Sequence, residues 1–169
     1  MINTFVRALI VIAALAFSAG AQSQQGGGQN SQQESVAKDP RARAKIHTEL
    51  GALYFQDGNV PVAMEELTIA IYLDPTYAPA YSMRALVHNY LKEPQYAEDN
   101  FREAVRYAPD DPEIANNYGW FLCQVDKKKE AMAQFERALR NRPYQTPERA
   151  YLNAGQCAVS MGDYPLGED

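Results

Sequence analysis

The sequence predicts an all-α protein, a superhelix of antiparallel helix pairs, and three observations predict it. Residues 44–77, 78–111 and 112–145 superimpose when the chain is shifted by 34 residues. Numbering each unit from 1 to 34, small residues recur at position 8 (Gly51, Ala85, Gly119), position 20 (Ala63, Ala97, Ala131) and position 27 (Ala70, Ala104, Ala138). Position 32 is proline in every unit: Pro75, Pro109 and Pro143. Two helices joined by a tight turn approach closely only where one backbone offers Gly or Ala to the other. Proline has no N–H to donate and pushes the preceding residue out of helical backbone. Each unit therefore reads as helix, turn, helix, stop.

Residues 1–21 come first, with one charge at Arg7, an apolar run from Ala8 to Phe17 and then small residues. That is the pattern of a secretory signal cleaved before Gln22. The run is about half the length a bilayer crossing needs, which disfavours a permanent anchor, and no membrane span is expected after cleavage. Residues 22–40 form a Gln/Gly/Ser-rich segment, and 22–35 contain no apolar side chain. Such a stretch cannot bury enough surface to offset its ordering entropy, so a flexible tether is expected, ending near Asp39-Pro40, where the first helix can start. The repeat domain then spans 41–169.

Bulky residues fill the gaps beside the small ones. Position 24 supplies Leu67, Phe101 and Phe135; position 4 supplies His47, Tyr81 and Ala115; position 11 supplies Tyr54, His88 and Leu122. Arg84 stands at position 7 of the second unit, where Leu50 and Tyr118 occupy the others. Arg84 and His88 are expected to weaken that unit's packing without breaking its frame. A partial fourth unit covers 148–169: aligning Gly162-Asp163 with Gly58-Asn59 puts Tyr151, Ala154 and Gly155 at positions 4, 7 and 8. Its second helix would begin at Pro165, as one begins at Pro61. Either more chain follows Asp169 or the last helix packs on a partner.

The net charge is −5, and −6 once Arg7 leaves with the signal, which argues against nucleic acid as a partner. Lys127-Lys128-Lys129 reads as solvated surface. His47 and His88 occupy packing positions, and neither has the converging ligands that a metal needs. Gly26-Gly27-Gly28 lies in the tether rather than after a strand, and nucleophile-elbow and zinc-protease motifs are missing. Glu65-Glu66 belongs on a helix, and Asp110-Asp111 at a helix start, where the dipole favours negative charge. The expectation is no catalysis, no cofactor, no metal and no small-molecule substrate.

What remains is the inner face of the array, where first-helix positions 2, 5, 6, 9, 12 and 13 include Thr48, Phe55, Ser82 and Gln124. The expected protein-binding residues on this concave face are Asn89, Tyr90, Asn116, Asn117, Trp120, Asn153 and Gln156. Asn117 and Asn153, equivalent at position 6, carry both donor and acceptor for a peptide backbone. Trp120, the single tryptophan, can serve as an aromatic anchor. The competing reading has these asparagines merely tolerated on exposed faces and Trp120 packed between repeats. Cys123 and Cys157 fall on the first helices of neighbouring repeats. They can close a disulfide if their Cα atoms come near enough, or fill gaps as two buried small residues.

Large at 4, small at 8, 20 and 27 and proline at 32 together resemble the tetratricopeptide repeat (TPR). The string Asn116-Asn117-Tyr118-Gly119-Trp120-Phe121-Leu122-Cys123 resembles a segment of the type IV pilus biogenesis/stability proteins, the PilW/PilF family. The stretch from Pro147 through Asn153 to Cys157 and Ala158 is similar to that family's next repeat. This resemblance, covering 41–169, implies a periplasmic or outer-membrane-associated scaffold that supports pilus stability and secretin assembly, with secretin or other pilus components as partners. It also implies a Cys123–Cys157 bridge, found in some members. Members that act as pilotins carry a lipobox cysteine; here Leu15-Ala16-Phe17-Ser18-Ala19-Gly20-Ala21-Gln22 has none. Lipidation is therefore not expected, and soluble periplasmic scaffolding is favoured over a pilotin role. The alternative is a generic periplasmic TPR adaptor for another cell-envelope complex.

Overall fold

The computed structural model describes residues 38–140 and 144–161. The expected signal, all but the end of the tether, Pro143, the Gly162-Asp163 turn and the helix start at Pro165 lie outside the described residues. Among the described residues there are seven α-helices and no strand: α1 (Pro40–Gln56), α2 (Val60–Leu73), α3 (Ala78–Tyr90), α4 (Pro94–Tyr107), α5 (Pro112–Gln124), α6 (Lys128–Arg140) and α7 (Pro147–Met161). They pack as pairs, α1 on α2, α3 on α4 and α5 on α6, while α7 packs on α5 and α6. The first helices α1, α3, α5 and α7 lie side by side. This is the all-α TPR superhelix the repeat pattern predicts.

Local chemistry sets the helix ends. Asp39 caps α1 by accepting the Arg41 N–H at 2.9 Å, and Asp111 caps α5 by accepting those of Glu113 and Ile114 at 2.9 and 3.1 Å. Pro40 and Pro112 follow, at positions whose N–H would go unused within the helix. Each turn inside a pair enters left-handed backbone at repeat position 15: Gly58 at φ +77°, Lys92 at +62° and Asp126 at +62°. The reversal is closed by N–H groups of Asn59, Glu93 and Lys127 donating to the carbonyls of Tyr54, His88 and Leu122 at 2.8, 3.0 and 2.9 Å. Only at Gly58 does this conformation carry no Cβ penalty.

The small positions are the helix crossings. Every Ala at positions 20 and 27 is fully buried. A Cβ added to Gly51 would sit 2.8 Å from Leu67 Cγ, and one on Gly119 2.8 Å from Phe135 Cε1, so position 8 receives the large residue of position 24.

Unit 2 accommodates its polar residues with dedicated partners. Arg84 donates through Nε to Asn100 Oδ1 at 2.7 Å and lies over the Tyr81 ring at 5.6 Å; burial lowers its pKa. Asn100 in turn donates to the Tyr96 carbonyl at 2.7 Å. His88 Nδ1 lies 2.7 Å from Glu93 Oε2, and its ring stacks on Tyr96. His47 likewise meets Glu66 Oε2 at 2.6 Å. In the lysine triplet, Lys127 bonds both oxygens of Glu98 at 2.7 and 2.8 Å, and Lys128 donates to the Ser160 carbonyl at 2.8 Å. Two of the three lysines therefore join helices rather than only solvate a surface.

Candidate protein-binding groove

Side-by-side packing of α1, α3, α5 and α7 leaves a groove along the inner face, divided into four adjoining cavities. The first, about 360 Å³, lies between α1, α3 and α5 and is bordered by Ala52, Pro79, Met83 and Ile114. The second, about 280 Å³, is bordered by Phe55, Leu86, Tyr90 and Trp120. The third and fourth, about 290 and 250 Å³, lie between Trp120 and α7, against Leu152 and Asn153 and against Gln156 and Cys157. Trp120 borders three of the four and is 39 % exposed, so its ring stands in the middle of the groove with an open face. Tyr90, 62 % exposed, packs edge-on against Phe55 with centroids 5.4 Å apart.

The sequence offers the asparagines as surface for a partner, and the structure distributes them differently. Asn116 is 0 % exposed, which removes it from the concave surface where it was expected. The reason is geometric: position 5 points between first helices, so Thr48, Ser82 and Asn116 are all buried there. Position 6 of the following unit reaches back to it. Asn117 Nδ2 donates to Ser82 Oγ at 3.4 Å, and Asn153 Nδ2 to Asn116 Oδ1 at 3.0 Å. Asn89, also buried, donates to Gln124 Oε1 at 3.2 Å. These amides thus form a ladder joining α3 to α5 and α5 to α7. Asn117 and Asn153 remain half-buried on the groove wall, and Gln156 is exposed beside the fourth cavity. Tyr90, Asn117, Trp120, Asn153 and Gln156 therefore lie along one groove.

The cysteines are joined. Cys123 of α5 and Cys157 of α7 form a disulfide with Cα atoms 5.8 Å apart, beside the cavity outside Trp120. At the other end of α7, Glu113 accepts from Thr146 Oγ1 at 2.6 Å and from Arg149 at 3.1 Å. Helix α7 is thus fixed to α5 near both ends and, through Asn153, in the middle.

Of the first cavity's walls, the sequence singles out Thr48, Ser82 and Asn117 on the inner face, and the apolar ones, Ala52, Pro79, Met83 and Ile114, carry no such mark. The available signal was a size series at position 9, which reads Ala52, Leu86, Trp120 and Gln156. One small residue in a row of large ones marks a gap. Among the described residues, no group of three or more His, Cys, Asp or Glu is placed to hold a metal ion, and no helix is long and apolar enough to cross a membrane.

No protein-family model matches the chain. Type IV pilus assembly protein PilF of Pseudomonas aeruginosa is 30 % identical over 135 residues, covering 80 % of this chain and 53 % of that protein. A solved structure of P. aeruginosa PilF superimposes at TM-score 0.69 with 28 % identity, over 73 % of this chain and 55 % of that one. PilW, a widely conserved type IV pilus biogenesis factor, superimposes at TM-score 0.67 with 38 % identity, over 70 % of this chain and 55 % of that one. The chain thus spans about half the length of these relatives. The first TPR of RPAP3, solved bound to an HSP90 peptide, matches at TM-score 0.62 and 22 % identity over 72 % of this chain and 95 % of that one, a likeness of fold alone.

Proposed function

Because the chain belongs to the PilW/PilF-like tetratricopeptide-repeat proteins, we propose that it is a non-catalytic scaffold of type IV pilus biogenesis and stability. It holds a segment of a secretin or of another pilus component in the groove between α1, α3, α5 and α7. The observation that carries this reading is the groove itself, a row of cavities with a half-open tryptophan at its centre and a wall of amides already bonded to one another. Such a surface offers an aromatic anchor and fixed polar walls, which suits a peptide chain. A scaffold role also accounts for both histidines, each paired with a glutamate between helices rather than presented in the groove. The working compartment is the cell envelope, with the periplasm proposed from the signal-like N-terminus and any outer-membrane association made through partners.

The test is capture from envelope extract with the full chain, beside a Trp120→Ala variant matched for helicity. Enrichment of secretin or pilus proteins that the variant loses supports the reading. Equal capture by both forms, or enrichment of an unrelated envelope complex, overturns it, and the latter moves the protein to the generic adaptor class.

A further inference from the structure

The first cavity differs from the other three because Trp120 does not border it, and a small residue stands at its α1 wall. Ala52 stands at position 9, where the next two units carry Leu86 and Trp120. The space beside it is the largest of the four, about 360 Å³. Its walls are mostly apolar: Ala52, Pro79, Met83 and Ile114. Thr48 turns its hydroxyl back to the Ala44 carbonyl at 2.8 Å, and so asks nothing of an occupant. Ser82, 3 % exposed, accepts from Asn117, and its own O–H has no acceptor among the described residues.

The rim is charged with one sign. Glu49, Asp111 and Glu113 border the cavity, and no Lys or Arg does. Asp111 takes both of its helix-cap bonds on Oδ1, which leaves Oδ2 for a partner. Glu49 has Lys45 at 3.9 Å on an exposed helix face, a pairing too loose and too wet to neutralise it. Arg149 reaches Glu113 from α7, outside the cavity lining, and offsets one of the three charges. An apolar hole ringed by carboxylates selects by charge as well as by shape: an acidic segment is repelled, and a basic one is drawn in.

We propose that this cavity is a side-chain subsite, seating one aliphatic side chain of a bound protein segment while a neighbouring Lys or Arg of that segment faces Glu49 and Asp111, the two rim carboxylates that Arg149 does not offset. The inference rests on the groove being a protein-binding site. It adds the chemistry of the segment: aliphatic and basic at the α1 end, aromatic or apolar where it meets Trp120.

Fluorescence anisotropy with the full chain tests it, using three fluorescein-labelled octapeptides in which Lys alternates with Leu, Glu with Leu, or Lys with Ser. The Lys/Leu peptide is expected to bind about tenfold tighter than either of the others, and its affinity to fall as salt rises. Ala52→Leu installs the residue that unit 2 already carries and fills the hole, so the Lys/Leu affinity should drop about tenfold with helicity and melting unchanged. Glu49→Lys, an exposed change, should weaken the same peptide several-fold even if Ala52→Leu proves unstable. Equal affinity for the Glu/Leu peptide, or undiminished binding by a folded Ala52→Leu chain, overturns the proposal. Envelope capture separates this from the pilus reading. If Ala52→Leu captures pilus components as well as wild type does, the subsite falls and the scaffold role stands. If wild type captures none while the peptide discrimination holds, the scaffold role falls and the subsite stands.

Discussion

One repeat position, substituted identically in two units, should give opposite results. Gly119 and Gly155 both occupy position 8, in α5 and α7. In Gly119→Ala the new Cβ would lie 2.8 Å from Phe135 Cε1, 2.9 Å from Cδ1 and 3.1 Å from Cζ, against the roughly 3.5–4.0 Å that carbon contacts prefer. Phe135 cannot retreat, because its ring is buried in a cluster with Phe121, Leu122, Ala131 and Cys157. Overpacking of this kind costs about 1–3 kcal/mol, and replacing a mid-helix glycine returns up to about 1 kcal/mol, so with the full return the net loss is about 0–2 kcal/mol. Around Gly155, apart from its chain neighbours and the backbone of its own helix turn, no atom of the described residues lies within 4 Å of an added Cβ. Gly155→Ala should therefore show only the helical gain, about 0.5–1 kcal/mol. At roughly 4 °C per kcal/mol, melting followed by circular dichroism should fall by up to about 8 °C in the first variant and rise by about 2–4 °C in the second. A Gly119→Ala chain stabilised as much as Gly155→Ala would refute the close α5–α6 approach as the reason for glycine there. A destabilised Gly155→Ala would mean that a helix covers α7 as α6 covers α5.

Lys92→Gly and Asp126→Gly should each stabilise the chain by about 0.5–1 kcal/mol in urea titrations, because both residues hold left-handed backbone that costs a side chain energy and glycine nothing. Hydrogen bonds from Lys127, outweighing the opposing effect of burial, with Arg102 alongside, hold the Glu98 pKa below its usual value. A depressed carboxylate pKa adds stability that is fully present above the unfolded value near 4.3 and is lost as pH falls through the folded one. Lys127→Met should therefore flatten the acid limb of a stability–pH profile below about pH 5, and an unchanged limb would count against this pair. Replacing Cys123 and Cys157 by serine opens a loop of 34 residues and should cost about 3–4 kcal/mol relative to the oxidised chain, read as the denaturation midpoint with and without reductant.

The frame of this fold was legible because its physics recurs at fixed spacing. Gly51 and Leu67, or Gly119 and Phe135, are pairs sixteen residues apart whose sizes are complementary, and the same complementarity appears in each unit. Polar side chains do not announce their partners that way. Asn116 reads as surface because an amide needs hydrogen bonds, and water is the default supplier; here another amide supplies one, from Asn153 in the next repeat. Arg84 reads as a defect for the same reason, until Asn100 appears sixteen residues on, where its neighbours carry Glu66 and Gln134. The cavity at Ala52 was hidden because reasoning from chemistry looks for what is present, and this feature is a missing side chain.

The amide ladder bears on how the groove would recognise a chain. Asn117 and Asn153 each use one amide hydrogen on the neighbouring repeat, which restrains their orientation and leaves each amide with further donor and acceptor capacity on the groove wall. A partner backbone meeting such groups costs little side-chain entropy, since the rotamers are already set. Fixed amides accept any peptide backbone alike, so discrimination must come from elsewhere, from the ring at Trp120 and the hole at Ala52. Removing Asn117 would loosen the α3–α5 contact as well as the contact with a partner, and would blur fold and binding in one measurement. Trp120 and Ala52 have no such bond to lose, which is why substitutions at those two positions separate recognition from architecture.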